Sequence, residues 1–393
     1  MLRCWLLAAC WLLPIFAFAE TTRLPHLSPA EAGFDADKLA TIDADIAAAI
    51  DEKKLPGCVV CIGRCGKIAL LKSYGHRSLE PTKDEMTTDT VFDLASLTKP
   101  IATATSAIIL IEQGKLKLSE PVASYLPDLA ANGKEAITVE QLFLHTGGLI
   151  PDNDIADYAD GPEKAIERVF ALKLRTPPGE RFAYSDVGFI VLAELIKKAS
   201  GQNVHEFSQQ HIFAPLGITE TTYLPREELR QRAAPTQQRN GAWMKGEVHD
   251  PRAYALGGVA GHAGLFSTAE DLAIYASAML GRGEHAGVRI MQDATWREMT
   301  MARKVPGRNN EGKSYDGLRG LGWDIRTGYS SNRGQGMSDS AFGHGGFTGT
   351  GIWLDPEQNL FVIFLSNRVH PDGKGNVNPL IGRVGTIAVE ALH

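Results

Sequence analysis

Apolar residues at 39, 42, 46 and 50 recur at three- and four-residue spacing, which predicts an amphipathic helix starting near Asp37 and stopped by Pro56-Gly57. Two apolar runs follow, 58–64 and 67–74, joined at Gly66 as a predicted β-hairpin. From Ser96 the texture turns helical. One helix is predicted through Ile108 and Ile111 to Gly114, and Thr138-Val139-Glu140-Gln141 reads as a capping box with Ile137 and Leu142 as its hydrophobic staple. Further helices are expected over 163–172, 187–199 and 204–212, whereas 215–265 is irregular and rich in Gly, Pro, His and Asn. Ser267-Thr268-Ala269-Glu270 reads as a second capping box for a helix running to Gly281. Strands are predicted over 349–354 and 360–366 around Asp355-Pro356, and a closing helix over 380–392. Strands at both ends and helices between predict an α/β (α+β) protein, with one antiparallel sheet built from both ends of the chain and flanked by helices. The expected division is a sheet part from 20–95 and 255–393, and a mainly helical part from 96–254, with the active site between them.

Residues 1–19 have the form of a secretory signal. Arg3 is the positive start, 5–18 are apolar, and Ala17-Phe18-Ala19 is a small-x-small cleavage site. Pro14 and the short run argue against a stable membrane anchor. The expected location is therefore periplasmic or secreted, with cleavage after Ala19. A net charge of −6 over 393 residues offers no basic stripe for nucleic acid. Cys58, Cys61 and Cys65 would remain in the exported chain. On one strand, Cys58 and Cys61 point to opposite faces, and Cys61 and Cys65 stand about 13 Å apart, so buried free thiols are expected rather than a disulfide or a metal site.

The chemistry centres on Phe92-Asp93-Leu94-Ala95-Ser96-Leu97-Thr98-Lys99-Pro100. On a helix, Ser96 and Lys99 lie one turn apart on one face, so an amine can take the proton of a hydroxyl nucleophile. Burial and nearby positive charge would favour the neutral amine. Such a pair needs a proton carrier to the leaving group, and Tyr184, in Pro178-Gly179-Glu180-Arg181-Phe182-Ala183-Tyr184-Ser185-Asp186, is the best candidate.

Ser96 to Lys99, Tyr184 to Asp186, and His344-Gly345-Gly346 together resemble the three ordered motifs of the class C serine β-lactamases and their relatives. Those relatives are the penicillin-binding D-Ala-D-Ala carboxypeptidases, D-aminopeptidases and esterases. The resemblance covers nearly all of the chain after residue 19. It includes Leu144-His145-Thr146-Gly147-Gly148-Leu149 and Pro215-Leu216-Gly217. Of the three His-x-Gly stretches, at His145, His262 and His344, only the last follows Tyr184 and immediately precedes a predicted strand. The resemblance implies a β-lactamase/transpeptidase-like fold and an acyl-enzyme formed on Ser96, with the backbone N–H groups of Ser96 and Phe347 as the oxyanion hole. It implies no metal or organic cofactor.

The stretches 246–250, 257–266 and 367–371 are similar to a subgroup of periplasmic penicillin-binding carboxypeptidases and muropeptide amidases. They mark His249, Asp250 and His262 as further substrate contacts. A small-molecule or peptidoglycan-fragment substrate is implied, with a carboxylesterase as the alternative and a weak class C β-lactamase or a non-catalytic penicillin-binding module as a third reading. The chain departs from the family pattern at Asp186, where Asn is usual, and at His344 and Gly345, where Lys and Thr hold a substrate carboxylate. These departures disfavour efficient β-lactamase action. At Asp186 the carboxylate only accepts, so contact with a substrate carbonyl would be lost unless Asp186 instead pairs with Lys99, and His344 would be a cation for only part of the neutral pH range.

Overall fold

The computed structural model describes residues 23–308 and 312–393; the signal-like stretch 1–19 lies outside them. The large sheet is antiparallel. In chain order its strands are β1 (Gly57–Arg64), β2 (Lys67–Ser78), β3 (Asp84–Glu85), β4 (Arg303–Arg308), β5 (Ser314–Arg319), β6 (Asp324–Arg326), β7 (Phe342–Gly346), β8 (Thr350–Asp355) and β9 (Leu360–Ser366). Across the sheet they run β4-β5-β6-β7-β8-β9-β1-β2-β3. Inside the sheet two strands from opposite ends of the chain thus lie side by side, with Cys58 opposite Ser366 and Arg64 opposite Leu360.

Those two strands read as unbroken apolar runs because both faces are covered. Val59, Cys61, Phe361, Ile363 and Leu365 enter the main core, whereas Cys58, Val60, Ile62, Leu360, Val362 and Phe364 enter a second core on the opposite face. Helix Ala269–Leu280 packs against β1 and β9 from the main-core side. On the other face, helices Ala36–Asp51 and Asn378–Glu390 pack on each other and on the sheet. Cys58 and Cys61 are buried free thiols, as expected, but Cys65 is exposed, because it forms the hairpin turn with Gly66.

Several local expectations need correction. The segment from Ser96 is not one α-helix. It starts as a 3₁₀ turn, Ala95–Leu97, passes through a π-helical stretch, Lys99–Ala104, and becomes α-helical only at Thr105–Glu112. The capping box at Thr138 and Gln141 is present. The second box is shifted: Thr268 is the N-cap and its side chain accepts from Asp271 N–H, so neither Ser267 nor Glu270 caps. The strand predicted to follow His344 is present as β8, and His344 itself lies on a further strand, β7, that the local pattern did not predict. Among the described residues no helix is long and apolar enough to cross a membrane.

Candidate active site

The turn that carries Ser96 is held from three directions. Ala95 adopts a left-handed backbone, φ +46°, uncommon for a residue with a side chain, and its N–H donates to Asp93 Oδ1 at 2.8 Å. Asp93 Oδ2 accepts from His249 N–H at 2.6 Å. Burial pushes the Asp93 carboxyl up to about 6, against the opposing effect of these two hydrogen bonds. From the sheet, Thr348 and Thr350 hydroxyls donate to the carbonyls of Asp93 and Leu94 at 2.7 and 3.0 Å. The approach is close: a Cβ on Gly346 would stand 2.1 Å from Thr350 Oγ1 and 2.5 Å from the Leu94 carbonyl oxygen, so this position requires glycine.

Lys99 is fully buried, and its ammonium donates to Ser96 Oγ at 3.0 Å and to the His262 carbonyl at 3.0 Å. Asp186 Oδ1 lies 2.6 Å away. The free-amine expectation is therefore corrected. Burial works against the ammonium, but the Asp186 carboxylate and Tyr184 outweigh it and raise the Lys99 pKa. Asp186 takes this place as the first residue of helix Asp186–Ser200, capped by Ser185, whose hydroxyl accepts from Gly188 N–H at 3.1 Å.

Tyr184 precedes that cap. Its ring lies under the Lys99 ammonium, 4.8 Å from Nζ to the centroid, and its hydroxyl is buried beside Lys99 and Ser96 without a well-formed hydrogen bond. Burial raises the phenol, and the Lys99 charge opposes this. The His145 ring packs on Tyr184 at 4.5 Å, and its Nδ1 accepts from Ser185 N–H at 3.1 Å. His145 is thus a neutral positioning residue, kept uncharged by burial and then by Arg319.

His344 also departs from expectation. Burial, then Arg319 and Lys99, hold its pKa well below the ordinary value, so it is neutral throughout the neutral range. Arg319 is fully buried in β5, 3.6 Å from Asp324, with no hydrogen-bond partner for its guanidinium nitrogens. Sequence reasoning missed Arg319, as it missed Asp93 as a clamp and Tyr329, which stacks on Tyr184 with centroids 5.1 Å apart. Asp93 was visible within the first motif, but its second partner, His249, is 156 residues away.

Ser96, Tyr184 and Phe347 stand where two cavities meet. The larger, about 880 Å³, also takes in Asp186, His249, Asp250 and His262. The smaller, about 360 Å³, takes in His344, Gly345 and Gly346. His249 stacks on Phe347, with centroids 5.6 Å apart, and His262 Nε2 lies 2.9 Å from Asp250 Oδ1. Burial works to raise Asp250, but His262 and a backbone N–H outweigh it and hold the carboxyl well below its usual range. Asp186, Asp250 and His262 each bring a ligand atom within 4.8 Å of the others, a grouping that could hold a cation; the Lys99 ammonium already supplies one beside Asp186. All the residues singled out by sequence are thus brought together, with Lys99 behind the cavity wall.

The family model described as Beta-lactamase matches residues 42–385. The chain belongs to the beta-lactamase family. It is therefore a β-lactamase-fold serine hydrolase. It is 30% identical to an N-acetylmuramyl-L-alanine amidase of Bacillus subtilis (strain 168), over 88% of this chain and 85% of that protein. It is 29% identical to a protein of Escherichia coli (strain K12) named "Putative D-alanyl-D-alanine carboxypeptidase", over 93% and 91% respectively. Among solved structures, a penicillin-binding protein homolog from Caulobacter crescentus superposes with a TM-score of 0.74 at 21% identity, over 92% of this chain and 99% of that one. The mixed helix and antiparallel-sheet architecture expected from sequence is that of this β-lactamase/transpeptidase-like fold.

Proposed function

We propose that this protein is exported by residues 1–19 to the periplasm or exterior and cleaves an amide bond in peptidoglycan peptides or muropeptides through an acyl-enzyme. The observation that carries this is the 3.0 Å contact between Lys99 Nζ and Ser96 Oγ, beside Tyr184, where the two cavities meet. The relatives named as an amidase and a carboxypeptidase of cell-wall peptides support the substrate class. In this reading the active site lies between the sheet part (20–95, 255–393) and the helical part (96–254).

At rest Lys99 and Tyr184 both carry their protons, so the pair first releases one to solvent. Ser96 Oγ then attacks the carbonyl carbon as its proton passes to the pair. The backbone N–H groups of Ser96 and Phe347 hold the oxyanion. The tetrahedral intermediate collapses, the pair protonates the leaving nitrogen, and water attacks the ester by the same route in reverse. Asp186, His344, Gly345, Gly346, His249, Asp250 and His262 line the substrate path.

A second reading, carboxylesterase, is favoured by one feature: a neutral His344 beside Gly345 makes a poor clamp for a C-terminal carboxylate. Intact mass after incubation with a penicillin, for the protein and for Ser96→Ala, separates the readings. A lasting adduct lost in the variant supports the peptidase or amidase. Ser96-dependent hydrolysis of p-nitrophenyl esters without an adduct supports the esterase. Activity that survives Ser96→Ala refutes both.

A further inference from the structure

Arginines here almost always have partners: Arg303 pairs with Glu140 and Glu298, Arg232 with Asp89 and Glu220, and Arg368 with the Phe347 carbonyl. Among the described residues, the guanidinium groups of Arg175, Arg181 and Arg308 have neither a carboxylate nor a carbonyl partner, and all three line the larger cavity with Ser96. Arg175 and Arg308 are exposed and Arg181 is half-buried.

Their backbones are fixed. Arg175 N–H donates to the Gly148 carbonyl at 2.8 Å, Gly179 N–H to Thr146 at 2.7 Å, and Phe182 N–H to Pro306 at 2.7 Å. The last bond ties the residue after Arg181 to β4, which ends in Arg308. The acids of the same cavity are committed elsewhere: Asp152 to Arg252 at 3.5 Å, Asp186 to Lys99 at 2.6 Å and Asp250 to His262 at 2.9 Å. The mouth therefore keeps an excess of positive charge on a chain whose net charge is −6, although Glu180 and Asp316 border Arg181 and Arg308 in an adjoining pocket. A cavity of about 880 Å³ has room for several residues beyond the reacting bond.

We propose that Arg175, Arg181 and Arg308 form a subsite for the carboxylates of an acidic peptide, on the part of the substrate away from the bond that Ser96 attacks. This rests on the peptide-cleaving reading above and narrows it to peptides bearing two or more carboxylates. Guanidinium groups delivered from two separate segments suit carboxylates spread along a peptide better than a single compact anion, because each can take its own forked pair of hydrogen bonds.

The test is calorimetric binding of N-acetylated, C-amidated triglutamate and triglutamine to the Ser96→Ala protein. Triglutamate binds at least about tenfold more tightly at low salt, and the preference shrinks as salt approaches about 0.5 M. Adding Arg175→Gln, Arg181→Gln and Arg308→Gln together abolishes the preference, and Arg181→Gln alone reduces it. Thermal unfolding of each variant checks that it is folded. Equal affinity for the two peptides, or an unchanged preference in the folded variants, overturns the subsite. No turnover is read, so failure here is distinct from failure of the Ser96 reading, which the penicillin adduct decides.

Discussion

Asp186→Asn restores the residue usual in the family and removes the negative charge 2.6 Å from Lys99 Nζ. Asp186 raises the pKa of both Lys99 and Tyr184, so without it the pair gives up its first proton at lower pH. Two unit charges at 2.6 Å interact by about 6 kcal/mol at an effective dielectric constant of 20 and about 1.6 kcal/mol at 80. At 1.36 kcal/mol per pH unit, that brackets a shift of roughly 1 to 5 units. Because the Asp186 side chain is 20% exposed, solvent screening favours the lower end. The rising limb of kcat/KM for a neutral p-nitrophenyl ester, followed from about pH 5 to 10, should move to lower pH by at least one unit. The raised Lys99 pKa stabilises the fold below the unfolded value and loses that stabilisation as pH climbs through the folded value. Asp186→Asn therefore also lowers neutral-pH stability, by up to about 3–5 kcal/mol, with the amide oxygen recovering part of it. A rate profile that coincides with that of the unmodified protein, or moves to higher pH, would refute the claim that Asp186 sets the protonation of the pair.

Gly345→Thr, which the motif comparison suggests as a way to restore a carboxylate clamp, should instead destabilise the protein by about 1–3 kcal/mol in thermal unfolding. Its Cβ would meet Asn332 Nδ2 at 2.5 Å, and that amide also accepts from Trp353 Nε1. Asp93→Asn puts an NH₂ group against one of two backbone N–H donors, and should cost about 1–3 kcal/mol and lower kcat through the Ser96 turn. It should also flatten the pH dependence of stability. With a folded pKa of about 6 against 3.8 unfolded, Asp93 makes the protein lose about 3 kcal/mol as pH rises between those values, and denaturant titrations at pH 4 and 6 should show that loss only with Asp93 present. In protein starting at residue 20, a thiol reagent should modify one cysteine quickly in the native state, Cys65, and three in denaturant, because burial raises the thiols of Cys58 and Cys61.

The motifs of the candidate site were legible because each is a short run whose side chains converge through local geometry: Ser96 and Lys99 within one turn, and Tyr184 one residue before a helix cap. Strands β1 and β9 were legible as apolar runs because both of their faces are covered. β4 and β5 were not. They lie at the polar edge of the sheet, where Pro306, Gly307 and Gly317 break any alternation. What no local pattern carries is the identity of distant partners. The protonation of Lys99 depends on an acid 87 positions further along the chain, and the neutrality of His344 depends on burial and on Arg319, which sits in a strand that local pattern did not reveal.

The pairing of β1 with β9 has a consequence for how the molecule is made. When residue 57 leaves the ribosome, its partner strand is about 300 residues short of synthesis, a wait of roughly 15–60 s at 5–20 residues per second. Closing a loop of that length carries an entropic penalty on the order of 5 kcal/mol before any contact is gained. The turn that carries Ser96 is itself stapled to Thr348 and Thr350, so Ser96 reaches its final geometry only after nearly the whole chain has emerged. A nascent or truncated chain thus carries the complete first motif and yet leaves Ser96 unpositioned until the segment bearing Thr348 and Thr350 arrives.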